Sequence, residues 1–90
     1  MTVRWTEDAA QDLEAIHDYI AKDNPDAAAE ICSRIVHAAD RLEEQPRLGR
    51  EGRRAGTREL IVTPFAIVYR IKTEAVEIDA VLHGSRKYGQ

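Results

Sequence analysis

The 90-residue sequence has little of what several large classes of protein require. Its single cysteine, Cys32, excludes an internal disulfide and fits a reducing compartment. One cysteine and three scattered histidines do not supply the roughly four clustered ligands of a zinc site. No apolar run approaches the ~20 residues that span a bilayer, and residues 1–10 lack the basic and apolar segments of a signal peptide. We therefore expect a cytoplasmic protein with no membrane segment, metal or cofactor.

What is present is the composition of one folded domain. Apolar residues make up 43% of the chain and charged residues 32%, which is typical of globular rather than disordered proteins. The length predicts a single domain over 1–90, without repeats or internal linkers. A domain of this size buries a modest share of its surface, so a partner that covers apolar groups would add to its stability.

The net charge of −3 is unevenly distributed along the chain. Residues 1–46 carry eleven acidic and four basic residues, whereas 47–90 carry five acidic and nine basic residues. This asymmetry predicts two different faces on one small domain. The basic face could meet an acidic protein or a nucleic acid, although two solvated faces would give the same pattern.

The first half of the sequence predicts a strand followed by a helical hairpin. Val3 and Trp5 alternate with polar residues, which is typical of a short strand over 2–6. Thr6 suits the N-cap of an amphipathic helix over about 7–22. Asn24 and Pro25 suit the cap and first position of a second helix over about 25–45, which ends before Pro46. So short a connection makes the two helices an antiparallel pair.

The second half predicts an exposed loop and a three-stranded meander. Residues 46–56, PRLGREGRRAG, contain Gly, Pro and four Arg and are typical of a loop. Strands are expected over 58–63, 65–72 and 76–83, with Phe65, Ile67, Tyr69 and Ile71 on one apolar face and Val76, Ile78, Ala80 and Leu82 on that of the next strand. The helical hairpin would cover that face. The expected fold is α+β, an antiparallel sheet with an N-terminal strand and a helical hairpin on one side, in the order β-α-α-β-β-β.

Several segments in this order resemble the RelE/ParE toxin superfamily over nearly the whole chain. They are VRWTEDAAQDLEAIHDYIA, NPDAAAEI, PRLGREGRRAGTREL, IVYRI and VLHGSR. The resemblance implies a plasmid-stabilisation toxin of a type II toxin–antitoxin system. Such a toxin is neutralised by a ParD-like antitoxin, which has a DNA-binding N-terminal part and a C-terminal segment that folds onto the toxin. The groove for that segment is expected along the helical hairpin and the sheet edge.

The superfamily contains two activities, and the resemblance is stronger to the ParE-like branch, which poisons DNA gyrase. RelE-like members cut messenger RNA on the ribosome, which needs a base, an acid and a cation around one phosphate. Cleaving relatives usually carry a basic residue just after the turn into the penultimate strand, where this chain has Phe65 and Ala66. As a ribonuclease, its candidates would be His83, Arg70 and Arg86. Otherwise no catalytic residue is expected.

The predicted target-binding residues are mainly arginines, although Arg47 and its neighbours could simply keep the loop in solvent. Arg70 is interpreted as a cross-strand partner of Glu77 or Asp79. The loop lacks interleaved aromatics, so we expect no direct nucleic-acid binding by the toxin alone. A non-toxin module that binds nucleic acid through this loop is the remaining alternative, and would show salt-dependent binding. The predicted contacts are Arg50, Arg53, Arg54, Arg58, His83, Arg86 and Tyr88.

Overall fold

The structure, a computed structural model that describes residues 1–84, has a helical hairpin packed on one face of a mixed sheet. This confirms the expected α+β fold. The strands are β1 Thr2–Trp5, β2 Arg50–Glu51, β3 Arg58–Val62, β4 Phe65–Ile71 and β5 Ala75–His83. The helices are α1 Glu7–Ala21 and α2 Pro25–Asp40, and a 3-10 turn follows at Arg41–Glu43.

Both helices begin at the predicted caps. The Thr6 hydroxyl accepts a hydrogen bond from the Ala9 N–H at 3.1 Å, and the Asn24 side-chain oxygen accepts one from the Ala27 N–H at 3.1 Å. Each cap therefore satisfies one of the amide groups that a helix leaves unpaired in its first turn. The second α-helix ends at Asp40, five residues before the predicted end, where the chain tightens into the 3-10 turn and buries Leu42.

The strands lie in the order β1-β5-β4-β3-β2. The predicted antiparallel meander of β3, β4 and β5 is confirmed, and β1 joins it by pairing parallel to β5. β2 was not predicted. Its two residues, Arg50 and Glu51, lie in the segment predicted as a loop, and they pair with Glu59 and Arg58 of β3. A strand of two residues is too short to leave an alternating pattern, so only the pairing reveals it.

An irregularity in β5 changes which of its residues face the helices. Val68 pairs with Ala80, but its neighbour Tyr69 pairs with Ile78, so that Asp79 is an extra residue in β5. Since side chains alternate between the faces of a strand, one extra residue reverses the pattern beyond it. Val81 therefore joins the core cluster. The prediction that Ala80 and Leu82 continue the inward face of β5 was wrong for this reason.

The α1 helix is fastened to β5 on both sides of this bulge. On one side, the Thr6 hydroxyl donates to the Ile78 carbonyl oxygen at 2.9 Å. On the other, a carboxylate oxygen of Asp12 accepts from the Val81 N–H at 3.0 Å. The hairpin thereby closes over a core formed by Ala9, Ile35, Ala39, Leu42, Phe65, Ile67, Tyr69, Val76, Ile78 and Val81. Over residues 1–84, no helix is long and apolar enough to cross a membrane.

Replacing Thr6 tests how much this junction contributes. Thr6→Ala removes both the helix cap and the bond to Ile78, and we expect the free energy of unfolding to fall by about 1–2 kcal/mol. Thr6→Ser keeps the hydroxyl and is the matched control, expected to lose less than half of that amount. Urea unfolding at neutral pH measures both variants. Equal losses in the two would show that the methyl group, and not the hydroxyl, carries the effect.

Candidate functional site

The arginine loop, residues 46–57, is held against the sheet by a buried tyrosine. Tyr69 lies in the middle of β4 with no exposed surface. Its hydroxyl donates to the Pro46 carbonyl oxygen at 2.7 Å and accepts from the Gly49 N–H at 2.9 Å. Burial raises the pKa of this hydroxyl, while the Gly49 N–H and the charge of Arg58 act in the opposite direction. The phenol is therefore a neutral donor at physiological pH, and it closes the first half of the loop.

The second half of the loop is a tight hydrogen-bonded turn. The Thr57 hydroxyl donates to the Arg54 carbonyl oxygen at 2.7 Å, and the Gly52 N–H donates to the Thr57 carbonyl oxygen at 2.8 Å. Gly56 has a φ of +80°, a conformation that glycine adopts without steric cost. At Gly49 a Cβ atom would lie 2.8 Å from the Glu59 carbonyl oxygen and from Tyr69. Gly49 thus permits close packing on the sheet, whereas Gly56 permits the turn itself.

Glu59, in β3, is the buried acidic residue beside the arginine loop, and its side chain is only 2% exposed. It lies opposite Arg50 across β2 and β3. Its two carboxylate oxygens lie 3.6 Å from the Arg50 guanidinium and 3.7 Å from that of Arg53, and one of them also accepts from the Arg53 N–H at 3.3 Å. Sequence reasoning missed this residue. The available signal was a lone acid in β3, on the face opposite Leu60, beside a cluster of arginines.

Arg58 supports the loop from below. Its guanidinium donates to the Gly49 carbonyl oxygen at 2.7 Å and reaches that of Arg47 at 3.5 Å. The residue is half-buried, whereas Arg47 and Arg54 are exposed. The structure therefore brings Arg50, Arg53, Arg54 and Arg58 together on the arginine loop and the adjoining first residue of β3. It also shows that one guanidinium nitrogen of Arg58 bonds to loop carbonyl oxygens. The predicted contact of Arg58 with a target would therefore use the other N–H groups of the guanidinium.

His83 lies elsewhere, at the end of β5. Its ring meets that of Phe65 edge-on, with centroids 5.6 Å apart. Both line a groove of about 800 Å³ between the hairpin and the end of the sheet, together with Asp12, Tyr19 and Leu82. The groove lies along the hairpin and the end of β5, and its use by an antitoxin segment stays a prediction. Two further predicted contacts, Arg86 and Tyr88, lie outside the described residues.

Arg70 lies on the other face of the sheet. Its guanidinium is 3.1 Å from the carboxylate of Asp79, which confirms the cross-strand pairing. Glu77, next to it, pairs with Arg4 at 3.6 Å. Burial raises the pKa of Asp79, while a hydrogen bond from Asp79 lowers that of Glu77. The contact with Asp79 gives Arg70 a structural role in the sheet.

Two of the candidate ribonuclease residues, His83 and Arg70, are consequently not brought together. His83 pairs with Phe65, on the face of β4 that carries the core. Arg70 is five residues further along β4, so it points to the opposite face and lies about 16 Å away along the strand. Within residues 1–84 no group of three or more His, Cys, Asp and Glu residues could hold a metal ion. Neither a phosphate clamp beside His83 nor a metal centre is formed by the described part of the chain.

Comparison with known families and sequences gives consistent matches. Residues 3–88 match the ParE toxin family of the type II toxin–antitoxin system parDE. The chain is 46% identical over 90 residues to Y4kP of Sinorhizobium fredii, whose name carries a provisional toxin assignment, and this covers 98% of the chain and 93% of that protein. It is 41% identical over 85 residues to toxin RelE2 of Caulobacter vibrioides, covering 93% and 96% respectively.

Solved structures also resemble the chain over most of its length. A chain of the chromosomal ParDE toxin–antitoxin system from P. aeruginosa superposes with a TM-score of 0.83 at 30% identity, covering 92% of this chain and 95% of that one. A chain of the toxin–antitoxin complex RelBE2 from Mycobacterium tuberculosis superposes with a TM-score of 0.64 at 32% identity, covering 91% and 95%. Relatives named for ParE and relatives named for RelE therefore both match this chain.

Removing the Tyr69 hydroxyl tests the attachment of the arginine loop. Tyr69→Phe leaves the Gly49 N–H and the Pro46 carbonyl without their partner, and we expect a loss of about 1–3 kcal/mol in the free energy of unfolding. Trypsin should also cut the loop faster. Tyr19→Phe is the control, because Tyr19 is 75% exposed. If Tyr69→Phe left both unfolding and proteolysis unchanged, the loop would not depend on this hydroxyl.

Proposed function

The chain belongs to the ParE toxin family of type II toxin–antitoxin systems, and we propose that it inhibits DNA gyrase and is kept inactive by a cognate antitoxin. The observation that supports gyrase over messenger RNA as the target is the separation of His83 from Arg70. Cleavage of RNA requires its base and its phosphate-binding cation within hydrogen-bond reach of one phosphate group. Here His83, in β5, and Arg70, in β4, lie on opposite faces of the sheet, and Arg70 is already paired with Asp79.

The arginine loop is proposed as the surface that contacts gyrase. It holds Arg50, Arg53 and Arg54 close to Arg58 at the start of β3. Tyr69 fixes the first half of its backbone, so that less order has to be gained on binding. Guanidinium groups are suited to carboxylates, because their planar donors match the geometry of two oxygens. His83, at the end of β5, remains a predicted additional contact, and so do Arg86 and Tyr88.

The groove beside His83 is proposed as the antitoxin site. Both solved structures described above belong to toxin–antitoxin systems. The groove is lined by apolar side chains of both helices and the sheet, and Tyr19 on its rim is 75% exposed. A ParD-like antitoxin segment that folds there would bury this surface and stabilise a small domain. The resulting hetero-oligomer would form in the cytoplasm, and the proposed role of the toxin–antitoxin pair is plasmid stabilisation.

Incubating the purified chain with gyrase, supercoiled DNA and ATP tests the main proposal. We expect trapped, cleaved DNA to accumulate with increasing toxin, and intact message in a translating extract treated in parallel. Arg54→Glu should raise the toxin concentration needed for half-maximal cleavage by about tenfold or more, because it reverses a charge on the contact surface. Arg41→Glu, on the 3-10 turn outside the loop, is the matched control.

Two other results would replace this proposal. Cut message together with unaffected gyrase would indicate the RelE-like activity, with His83, Arg70 and Arg86 as residues to substitute. Salt-dependent binding of the isolated chain to DNA or RNA, with neither toxic activity, would indicate a nucleic-acid-binding module. Each outcome is read from the same preparation.

The antitoxin site is tested by filling the groove. Ala15 lines it and is exposed, so Ala15→Arg should block the antitoxin segment without disturbing the core. We expect the Kd for the cognate antitoxin, measured by calorimetry, to rise by at least about tenfold. Ala10→Arg, an exposed position on the opposite side of the same helix, is the control. Equal affinities of the two variants would place the antitoxin elsewhere on the surface.

A further inference from the structure

Arg50 and Arg53 share a single buried carboxylate. The Glu59 side chain is 2% exposed, whereas those of Arg50 and Arg53 are 65% and 42% exposed. The guanidinium groups approach opposite oxygens of Glu59, at 3.6 Å and 3.7 Å, which is beyond the range of a strong hydrogen bond. Both guanidinium groups are thus attracted to the buried Glu59 carboxylate, while most of their N–H donors stay available to solvent.

We propose that Glu59 is a positioning residue, which fixes Arg50 and Arg53 side by side as a receptor for carboxylate groups on an acidic protein surface of the target. This rests on the proposed function, in which that target is gyrase. Glu59 itself would not touch the target. Its role is to set the direction of two side chains that do.

The physical reason is the like charge of the two arginines. Two guanidinium groups on one loop repel each other and would otherwise sample many rotamers. A carboxylate buried between them offsets the repulsion and restricts both side chains before any target arrives. The cost of ordering them is then met during folding and not during binding.

The loop chemistry favours carboxylates over nucleic-acid bases as the ligand. Residues 46–57 contain no aromatic side chain on which a base could stack. Paired planar guanidinium groups instead match the two oxygens of Asp or Glu. The backbone supports the same arrangement, because the Arg53 N–H also bonds to Glu59 and β2 holds Arg50 directly opposite it.

Exchanging a carboxylate for an amide distinguishes positioning from general electrostatics. Glu59→Gln and Glu51→Gln each remove one negative charge, the first in β3 beside the arginine loop and the second in the loop itself, where Glu51 is exposed. If only net charge mattered, both variants would bind an acidic target more tightly. If Glu59 positions the arginines, Glu59→Gln should bind gyrase about tenfold more weakly, while Glu51→Gln binds as well as the unaltered chain or better.

Four quantities are measured for each variant: its affinity for gyrase, the toxin concentration that gives half-maximal DNA cleavage, its affinity for the antitoxin, and the NMR signals of the Arg50 and Arg53 Nε–H groups. We expect Glu59→Gln to broaden or shift both arginine signals and to keep its antitoxin affinity. Unchanged arginine signals, or stronger gyrase binding by Glu59→Gln, would overturn the proposal. A parallel loss of antitoxin affinity by the same factor would also overturn it, because Glu59 would then be merely structural.

Failure of the proposed function gives a different result. If the unaltered chain neither binds gyrase nor traps cleaved DNA, gyrase is not the target, whatever the variants do. The arginine signals still decide whether Glu59 orients the two side chains. Growth arrest on induced expression, which requires no knowledge of the target, then supports the proposal if Glu59→Gln weakens it and Glu51→Gln does not. Equal growth arrest by the two variants would overturn it.

Discussion

The hydroxyl of Tyr69 connects the core of this small domain to its most highly charged surface. The ring belongs to the apolar cluster beneath the hairpin, while the hydroxyl holds both Pro46 and Gly49 of the arginine loop. A phenylalanine would satisfy the core equally well but would leave two polar groups of the loop unpaired. The position of the loop is therefore fixed by the same side chain that packs in the core beneath the hairpin. A change in core packing that moved the Tyr69 ring would also move its hydroxyl, which holds the loop.

The bulge at Asp79 has a comparable effect at the other end of the sheet. β1 pairs with β5 only as far as Ile78, and beyond the bulge the α1 helix takes over through Asp12 and Val81. The groove forms where the edge of β5 stops pairing with β1 and is bonded by the α1 helix instead. A reversal of side-chain direction within β5 also brings His83 beside Phe65 and away from Arg70. One extra residue thus determines both the shape of the groove and which polar groups can act together.

Much of the fold was predictable because its signals are local. The caps at Thr6 and Asn24, the helical spacing after them, and the alternation in β4 depend on residues within a turn or two of each other. The bulge and the short β2 strand depend on partners across the sheet, and no local pattern encodes them. The burial of Glu59 also depends on such partners, and its one local signal was a lone acid beside the arginines. For the site, the arginines were identified by their type and number. Of their structural contacts, the pairing of Arg70 with Asp79 was predicted from the sequence, whereas the hydrogen bond of Arg58 to a loop carbonyl oxygen was not.

The two proposed surfaces differ in how they would respond to an antitoxin. Phe65 lines the groove at one end of β4, and Tyr69, four residues later, carries the arginine loop, so the two sites are separated by about 13 Å of strand. An antitoxin segment confined to the groove would leave the arginines uncovered. Neutralisation would then require either a segment long enough to continue along the sheet or enough bulk to keep gyrase at a distance. The former fits a segment that folds on binding, because an extended chain reaches two separated sites with few residues.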